Sequence, residues 1–133
     1  MIIDYAALVA EARIARERAY APYSRFSVGA ALLSADGRIF HGCNIENASY
    51  PVTLCAERSA FAAAWSAGVR EVVALAVVAD TAGPVSPCGM CRQTMFELAP
   101  DLAVLLANLG GHEQHTTPRE LLPGGFGPDS LLK

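Results

Sequence analysis

The sequence predicts an α/β protein, a three-layer α/β/α sandwich around a mixed central sheet of about five strands. Three observations lead there. An apolar run at Val28–Leu33, an Asp-Gly turn at Ser34–Gly37 and a second run at Arg38–Cys43 form a hairpin signature. Val72–Ala79 and Leu102–Ala107 are continuous apolar runs, the mark of strands covered on both faces. Helical segments alternate with these runs in the order α-β-β-α-β-α-β. The later β-α-β unit therefore implies parallel pairing through a right-handed crossover.

Taken in order, residues 4–20 read as an amphipathic helix. Asp4 caps it, and Leu8, Ala12, Ala15 and Ala19 share one face. Ala21-Pro22-Tyr23-Ser24 ends it. After the hairpin, Asn44 to Pro51 reads as a loop. Thr53 to Gly68 reads as a helix with Thr53 as N-cap and Gly68 as its stop. Asp80 to Pro87 is a loop. Cys88 to Leu98 is a helix with Ser86 as N-cap and Pro87 in the first helical position. A weak edge strand is predicted over 112–117 and a helical turn over Pro118–Leu122. The Gly/Pro-rich tail from Pro123 reads as irregular.

The chain has 133 residues, the span of one domain, and residues 1–133 are read as one. Apolar residues make up 53% and charged residues 17%, against about 25% charged in ordinary soluble domains. Such a chain is not intrinsically disordered. Its surface is short of charge, so part of it is buried within the subunit or between subunits.

Ten Lys+Arg against thirteen Asp+Glu give a net charge of −3, and no basic run occurs. That excludes the electrostatic footprint of a nucleic-acid binder. No apolar run approaches the length of about 18 residues that a transmembrane helix needs. The N-terminus lacks the basic region of a secretory signal, so a cytoplasmic location is expected.

The chemistry lies in the cysteines. There are four: Cys43, Cys55, Cys88 and Cys91. An even count is compatible with disulfides, but a chain with a buriable core and no export signal does not need them. Cys88 and Cys91 are three apart and share a helix face near its start. Cys55 falls in the first turn of its own helix. Helix N-termini favour thiolates, and three thiolates make a zinc cage with a fourth position open to water. Glu57, two residues after Cys55, places a carboxylate beside such a metal, where a proton shuttle has to sit. Three thiolates outweigh one zinc dication, and Arg58 is the cation positioned to offset them. Two blander readings stand beside this one: a redox Cys-x-x-Cys pair, and a structural zinc with Cys43 as fourth ligand. The second leaves Glu57 without a role.

Cys55-x-Glu57 followed by Pro87-Cys88-x-x-Cys91 is the zinc nucleobase deaminase pattern, with cysteine in its first place. This all-cysteine form resembles the small homotetrameric cytidine deaminases of nucleoside salvage. The likeness runs through most of the chain. It includes Ala21-Pro22-Tyr23-Ser24-x-Phe26-x-Val28-Gly29-Ala30, Gly42-Cys43-Asn44-Ile45-Glu46-Asn47, Thr53-x-Cys55-Ala56-Glu57-Arg58 and Leu121-Leu122-Pro123-Gly124-Gly125-Phe126.

The resemblance implies one Zn2+ per subunit on Cys55, Cys88 and Cys91, with Glu57 moving protons. Zinc-bound hydroxide would attack C4 of cytidine or 2′-deoxycytidine, releasing ammonia and leaving uridine or 2′-deoxyuridine. Asn44 and Glu46 would hydrogen-bond the ribose, and Phe26 would stack near the pyrimidine. The Ala56 N–H would hold the ring carbonyl, and the Ser86 carbonyl would face the leaving amine. Tyr50 and Phe126 resemble positions that reach a neighbouring subunit's site in a homotetramer. Two rivals remain: a blasticidin-type deaminase, in which the Asn44-x-Glu46-Asn47 signature is not expected, and a non-enzymatic zinc module. Cys43 reads as a free buried thiol, Met90 and Met95 as helix packing. His41, His112 and His115 match no ligand position.

Overall fold

The structure is a computed structural model that describes residues 1–132; Lys133, the chain's one lysine, lies outside the described residues. One sheet forms the middle layer. Its strands are β1 (Val28–Ser34), β2 (Ile39–Cys43), β3 (Val72–Ala79), β4 (Ala103–Asn108) and β5 (Glu113–Thr116), in the spatial order β2-β1-β3-β4-β5. β3 and β4 run parallel, and the other neighbouring pairs are antiparallel, so the sheet is mixed as predicted.

Side chains alternate across a strand, and β3 shows the consequence. Ala74, Ala76 and Val78 face one helix, α1 (Tyr5–Arg16), and pack with its Leu8 and Ala12. Leu75, Val77 and Ala79 face the other side, toward α2 (Ala56–Ser66) and α3 (Gly89–Leu98). There they meet Ala60, Phe61, Ala64, Cys91 and Met95. α1 comes close because β1 offers a glycine: a β-carbon on Gly29 would sit 2.0 Å from the Ala12 carbonyl oxygen.

Most element boundaries move inward from the sequence expectation, each for a local reason. α1 begins as predicted, with Asp4 accepting from the Ala7 N–H. It stops at Arg16 rather than residue 20, because Tyr20 turns extended and donates its N–H to the Asn44 carbonyl. α2 starts at Ala56 rather than Thr53. Leu54 is held extended by paired backbone hydrogen bonds with Ile45, and the Thr53 hydroxyl accepts from the Asn47 N–H. The N-cap is Cys55. Gly68 at φ 86° supplies the left-handed stop after α2.

α3 likewise starts at Gly89 with Cys88 as N-cap. Ser86 and Pro87 therefore precede the helix, correcting their predicted roles as N-cap and first helical residue. Two short helices follow β5: α4 (Pro118–Leu121), capped by the Thr117 hydroxyl, and α5 (Pro128–Leu131). The latter lies in a tail expected to be irregular. Met95 is buried, whereas Met90 is 61% exposed and lies outside the core, against the expected packing role. No described helix is long and apolar enough to cross a membrane.

Candidate active site

The site forms where the starts of α2 and α3 meet on one side of the sheet. Both N-caps are cysteines, and neither side chain caps its helix. The sulfurs turn toward each other instead. Sγ atoms of Cys55, Cys88 and Cys91 all lie within 4.8 Å of one another, and Cys55 and Cys88 are 3.6 Å apart. Three thiolates bound tetrahedrally at about 2.3 Å from a zinc ion lie about 3.8 Å apart. The trio fits zinc in both donor chemistry and spacing. Cys43 is outside it: a half-buried free thiol whose Sγ lies 3.5 Å from the Arg18 carbonyl oxygen. The four-cysteine structural site is therefore not built.

Arg58 faces sulfur rather than a carboxylate. Its Nη2 donates to Cys55 Sγ at 3.3 Å and to the Thr53 carbonyl at 3.3 Å, while its Nε is buried without a hydrogen-bond partner. Hydrogen bonding from the Cys91 thiol, assisted by Arg58, holds Cys55 down at about 5. Cys91 is pushed up in turn by that same hydrogen bond and by burial. The guanidinium is itself driven further toward its charged form, chiefly by the hydrogen bond to Cys55. The pocket thus favours negative charge on Cys55.

Glu57 lies in the first turn of α2 and is only 5% exposed. Burial raises its pKa above the ordinary carboxylate value. It lines a cleft of about 200 Å³ together with Phe26, Asn44, Cys55, Ala56, Ser86 and Cys88. Seven residues expected at the site from sequence thus converge on one cavity, with Cys91 buried beneath it. Ala56 is the first residue of α2, so its N–H has no acceptor within the helix.

Asn44 is 8% exposed and spends its amide on the neighbouring backbone. Its Oδ1 accepts from the Val28 N–H at 2.8 Å, and its Nδ2 donates to the Phe26 carbonyl at 2.7 Å. This bracket fixes the segment that presents the Phe26 ring. Arg25 helps turn that segment by adopting a left-handed φ of 58°.

Glu46 does not line this cleft. It belongs to an adjoining cavity of about 300 Å³ formed with Tyr23, Ser24, Tyr50 and Thr53, and Thr53 borders both spaces. Its carboxylate accepts from the N–H groups of Tyr23 and Ser24 and from the Ser24 hydroxyl. The Ser24 hydrogen bond is the main reason its pKa is lowered. Tyr50 and Phe126 are the outliers, 69% and 58% exposed and outside the cleft within this subunit.

Two contributors escaped the sequence reading, Asn108 and Arg92. Asn108, 3% exposed, donates from Nδ2 to the carbonyls of Thr81 and Ala82 and anchors the loop leading to Ser86. Arg92 grips the far end of that loop, donating to the Pro87 carbonyl and the Ser86 hydroxyl. His41 matches no ligand position, as expected, and instead ties β2 to α1 through the Glu11 carboxylate at 2.6 Å, away from the cleft. Asn108 meets partners remote in sequence, whereas Arg92, four residues after Cys88 on a helix, left a local signal for two of its three contacts.

The mixed sheet and the sulfur cluster place the chain among zinc-binding α/β proteins of the hydrolytic kind. Residues 3–107 match the family model of the cytidine and deoxycytidylate deaminase zinc-binding region, and the chain belongs to that family. It is 57% identical over 130 residues to a cytidine deaminase of Sporosarcina psychrophila, covering 97% of this chain and 96% of that protein. Against a cytidine deaminase of Halalkalibacterium halodurans the identity is 58%, over 97% of this chain and 98% of that protein. The crystal structure of a cytidine deaminase from Burkholderia pseudomallei has a similar fold. Its TM-score is 0.92 at 53% identity, over 93% of this chain and 100% of that one.

Proposed function

We propose that this chain hydrolyses cytidine and 2′-deoxycytidine to uridine and 2′-deoxyuridine, with release of ammonia, in pyrimidine salvage. The observation that carries the reading is the buried Glu57 carboxyl in a cleft that Cys55, Cys88 and Phe26 also line.

Cys55, Cys88 and Cys91 would hold a zinc ion, which would supply the acidity that makes water a nucleophile near neutral pH. Glu57 takes a proton from the attacking water and passes it to ring N3; it then takes the remaining proton from the hydroxyl now on C4 and delivers it to the amine, which leaves as ammonia while C4 becomes a carbonyl. A carboxyl whose pKa is raised by burial suits this relay, because it holds a proton between transfers. Arg58 offsets the surplus charge of the three thiolates. Phe26 stacks on the pyrimidine, the Ala56 N–H receives the ring carbonyl, and the Ser86 carbonyl faces the amine.

Asn44 and Glu46 bind the ribose with what their backbone contacts leave over. Asn44 keeps one N–H and one lone pair. Glu46, with three of about four acceptor sites engaged, keeps one for a hydroxyl.

The domain acts as a homotetramer in the cytoplasm, with Tyr50 and Phe126 completing sites in neighbouring subunits. Their exposure and the chain's low charge support this reading. A fully active monomer in sedimentation would contradict it.

The decisive experiment follows ultraviolet absorbance as zinc-loaded protein acts on cytidine, with Glu57→Ala alongside. Uridine formation by the parent, and none by a variant that retains zinc, is the expected result. Turnover of blasticidin-type nucleosides alone would move the substrate assignment. Zinc binding with no turnover of any aminated nucleoside would leave a structural module.

A further inference from the structure

The loop between β3 and α3 carries Ser86 and ends at Cys88, so its shape sets both a wall of the cleft and one sulfur. Asn108 pins its beginning at Thr81 and Ala82. Its end is gripped by a single guanidinium. Arg92 donates from Nε to the Pro87 carbonyl at 2.9 Å and from Nη2 to the Ser86 hydroxyl at 2.8 Å. The third contact leaves the loop: Nη1 donates to the Leu121 carbonyl at 2.8 Å, at the end of α4. The next residue, Gln93, donates from Nε2 to the Phe126 carbonyl at 2.8 Å.

The geometry is specific to arginine. Three acceptors on two chain segments are met by three nitrogens of one planar fork, which an ammonium on a flexible stem cannot reproduce. Arg92 is also placed for the role, because Cys88, Cys91 and Arg92 fall on one face of α3 at helical spacing. A shift of the fork therefore moves the sulfurs, the Ser86 backbone and the C-terminal segment together.

We infer that Arg92 is a positioning residue that locks residues 86–88 to residues 121–126, so that the C-terminal segment braces the leaving-group side of the cleft. This rests on the deaminase reading for its effect on turnover, but the mechanical link stands independently of any substrate.

The test compares the zinc-loaded parent with Arg92→Gln and Arg92→Lys in two measurements. The first is cytidine kinetics per bound zinc. Misplacing a reacting group by a fraction of an ångström costs mainly the transition state, so kcat of Arg92→Gln falls by about 10- to 100-fold while KM moves less than about threefold. The second is amide hydrogen exchange without substrate. Peptides covering 80–88 and 119–127 lose protection together, by about tenfold, while α2 is unchanged. Arg92→Lys shows the same pair of effects at smaller size and serves if the glutamine variant does not fold.

Parental kcat in either folded variant, or loosening of one peptide without the other, overturns the inference. So does a loss of activity wholly accounted for by lost zinc. A parent that does not deaminate cytidine refutes the proposed function instead, and the exchange measurement still decides the link.

Discussion

Gly42 of β2 lies so close beneath Ala56 that a β-carbon there would sit 2.2 Å from the Ala56 carbonyl oxygen and 2.4 Å from the Ala60 nitrogen. Ala56 is the residue between Cys55 and Glu57, so the strand sets the height of the turn that presents both. Backbone cannot yield as a flexible side chain can. Gly42→Ala is expected to destabilise the protein by about 2–3 kcal/mol through overpacking. It should also lower zinc occupancy after dialysis. Denaturant titration and metal analysis check this, and a variant matching the parent in both would show that the contact relaxes cheaply.

Glu57→Gln keeps the shape of a buried side chain and removes the carboxyl that can take up and release a proton. Turnover of cytidine is expected to fall by about four powers of ten, with zinc content and thermal midpoint near the parent's. Retained turnover would take the proton relay away from this residue.

Glu46→Ala removes acceptors from both the Tyr23–Ser24 turn and, under the proposed reading, the ribose. KM for cytidine should rise by at least about tenfold, with kcat less affected. Steady-state kinetics with cytidine decide the point: a loss confined to kcat would place Glu46 in the chemistry rather than in binding.

Metal removal can be counted in thiols. With zinc bound, Cys55, Cys88 and Cys91 are protected, and Cys43 is the cysteine outside the cluster. A chelator should therefore expose three additional thiols to a colorimetric reagent and lower the melting temperature. Four newly exposed thiols would bring Cys43 back as a ligand.

Acid should weaken the fold through three carboxylates. Asp36 is held low chiefly by Arg38, Asp101 by Arg119 and Glu46 by Ser24. A carboxylate with a depressed folded-state pKa adds stability that is complete above its ordinary value of 3.8 to 4.5. That stability is lost as pH falls through the lower, folded value. The melting temperature should fall progressively as pH drops below about 5, with the loss continuing below about pH 3 because Asp36 is held lowest, and less steeply with Asp36→Asn, Asp101→Asn and Glu46→Gln combined. An unchanged acid limb in the triple variant would assign acid lability elsewhere.

Strand identities were legible because β3 and β4 are apolar on both faces, and because the Asp36-Gly37 turn announces its hairpin. Helix starts were not. The preference for Ser and Thr at N-caps picked Thr53 and Ser86, whereas the chain starts both helices at cysteines whose sulfurs serve each other instead of the backbone. The chemical residues were readable because Cys55, Glu57, Cys88 and Cys91 keep short spacings on two helices. The supports were not, since Arg92 meets Leu121 and Asn108 meets Thr81 across 29 and 27 residues. Glu46 lies in the adjoining cavity rather than the cleft, and its hold on the Tyr23–Ser24 turn left no sign in the sequence.

Cys55 and Cys88 are separated by 33 residues along the chain and by 3.6 Å between sulfurs. An ion shared between them closes a loop, and a covalent bridge over a loop of that length is worth about 4 kcal/mol in chain entropy. Within the loop runs β3, the middle strand of the sheet, which follows α2 and precedes α3. The ion is thus a reversible clasp around the strand whose departure would unravel the sheet. Resistance to unfolding becomes a function of free metal concentration, rising logarithmically as the metal exceeds its dissociation constant.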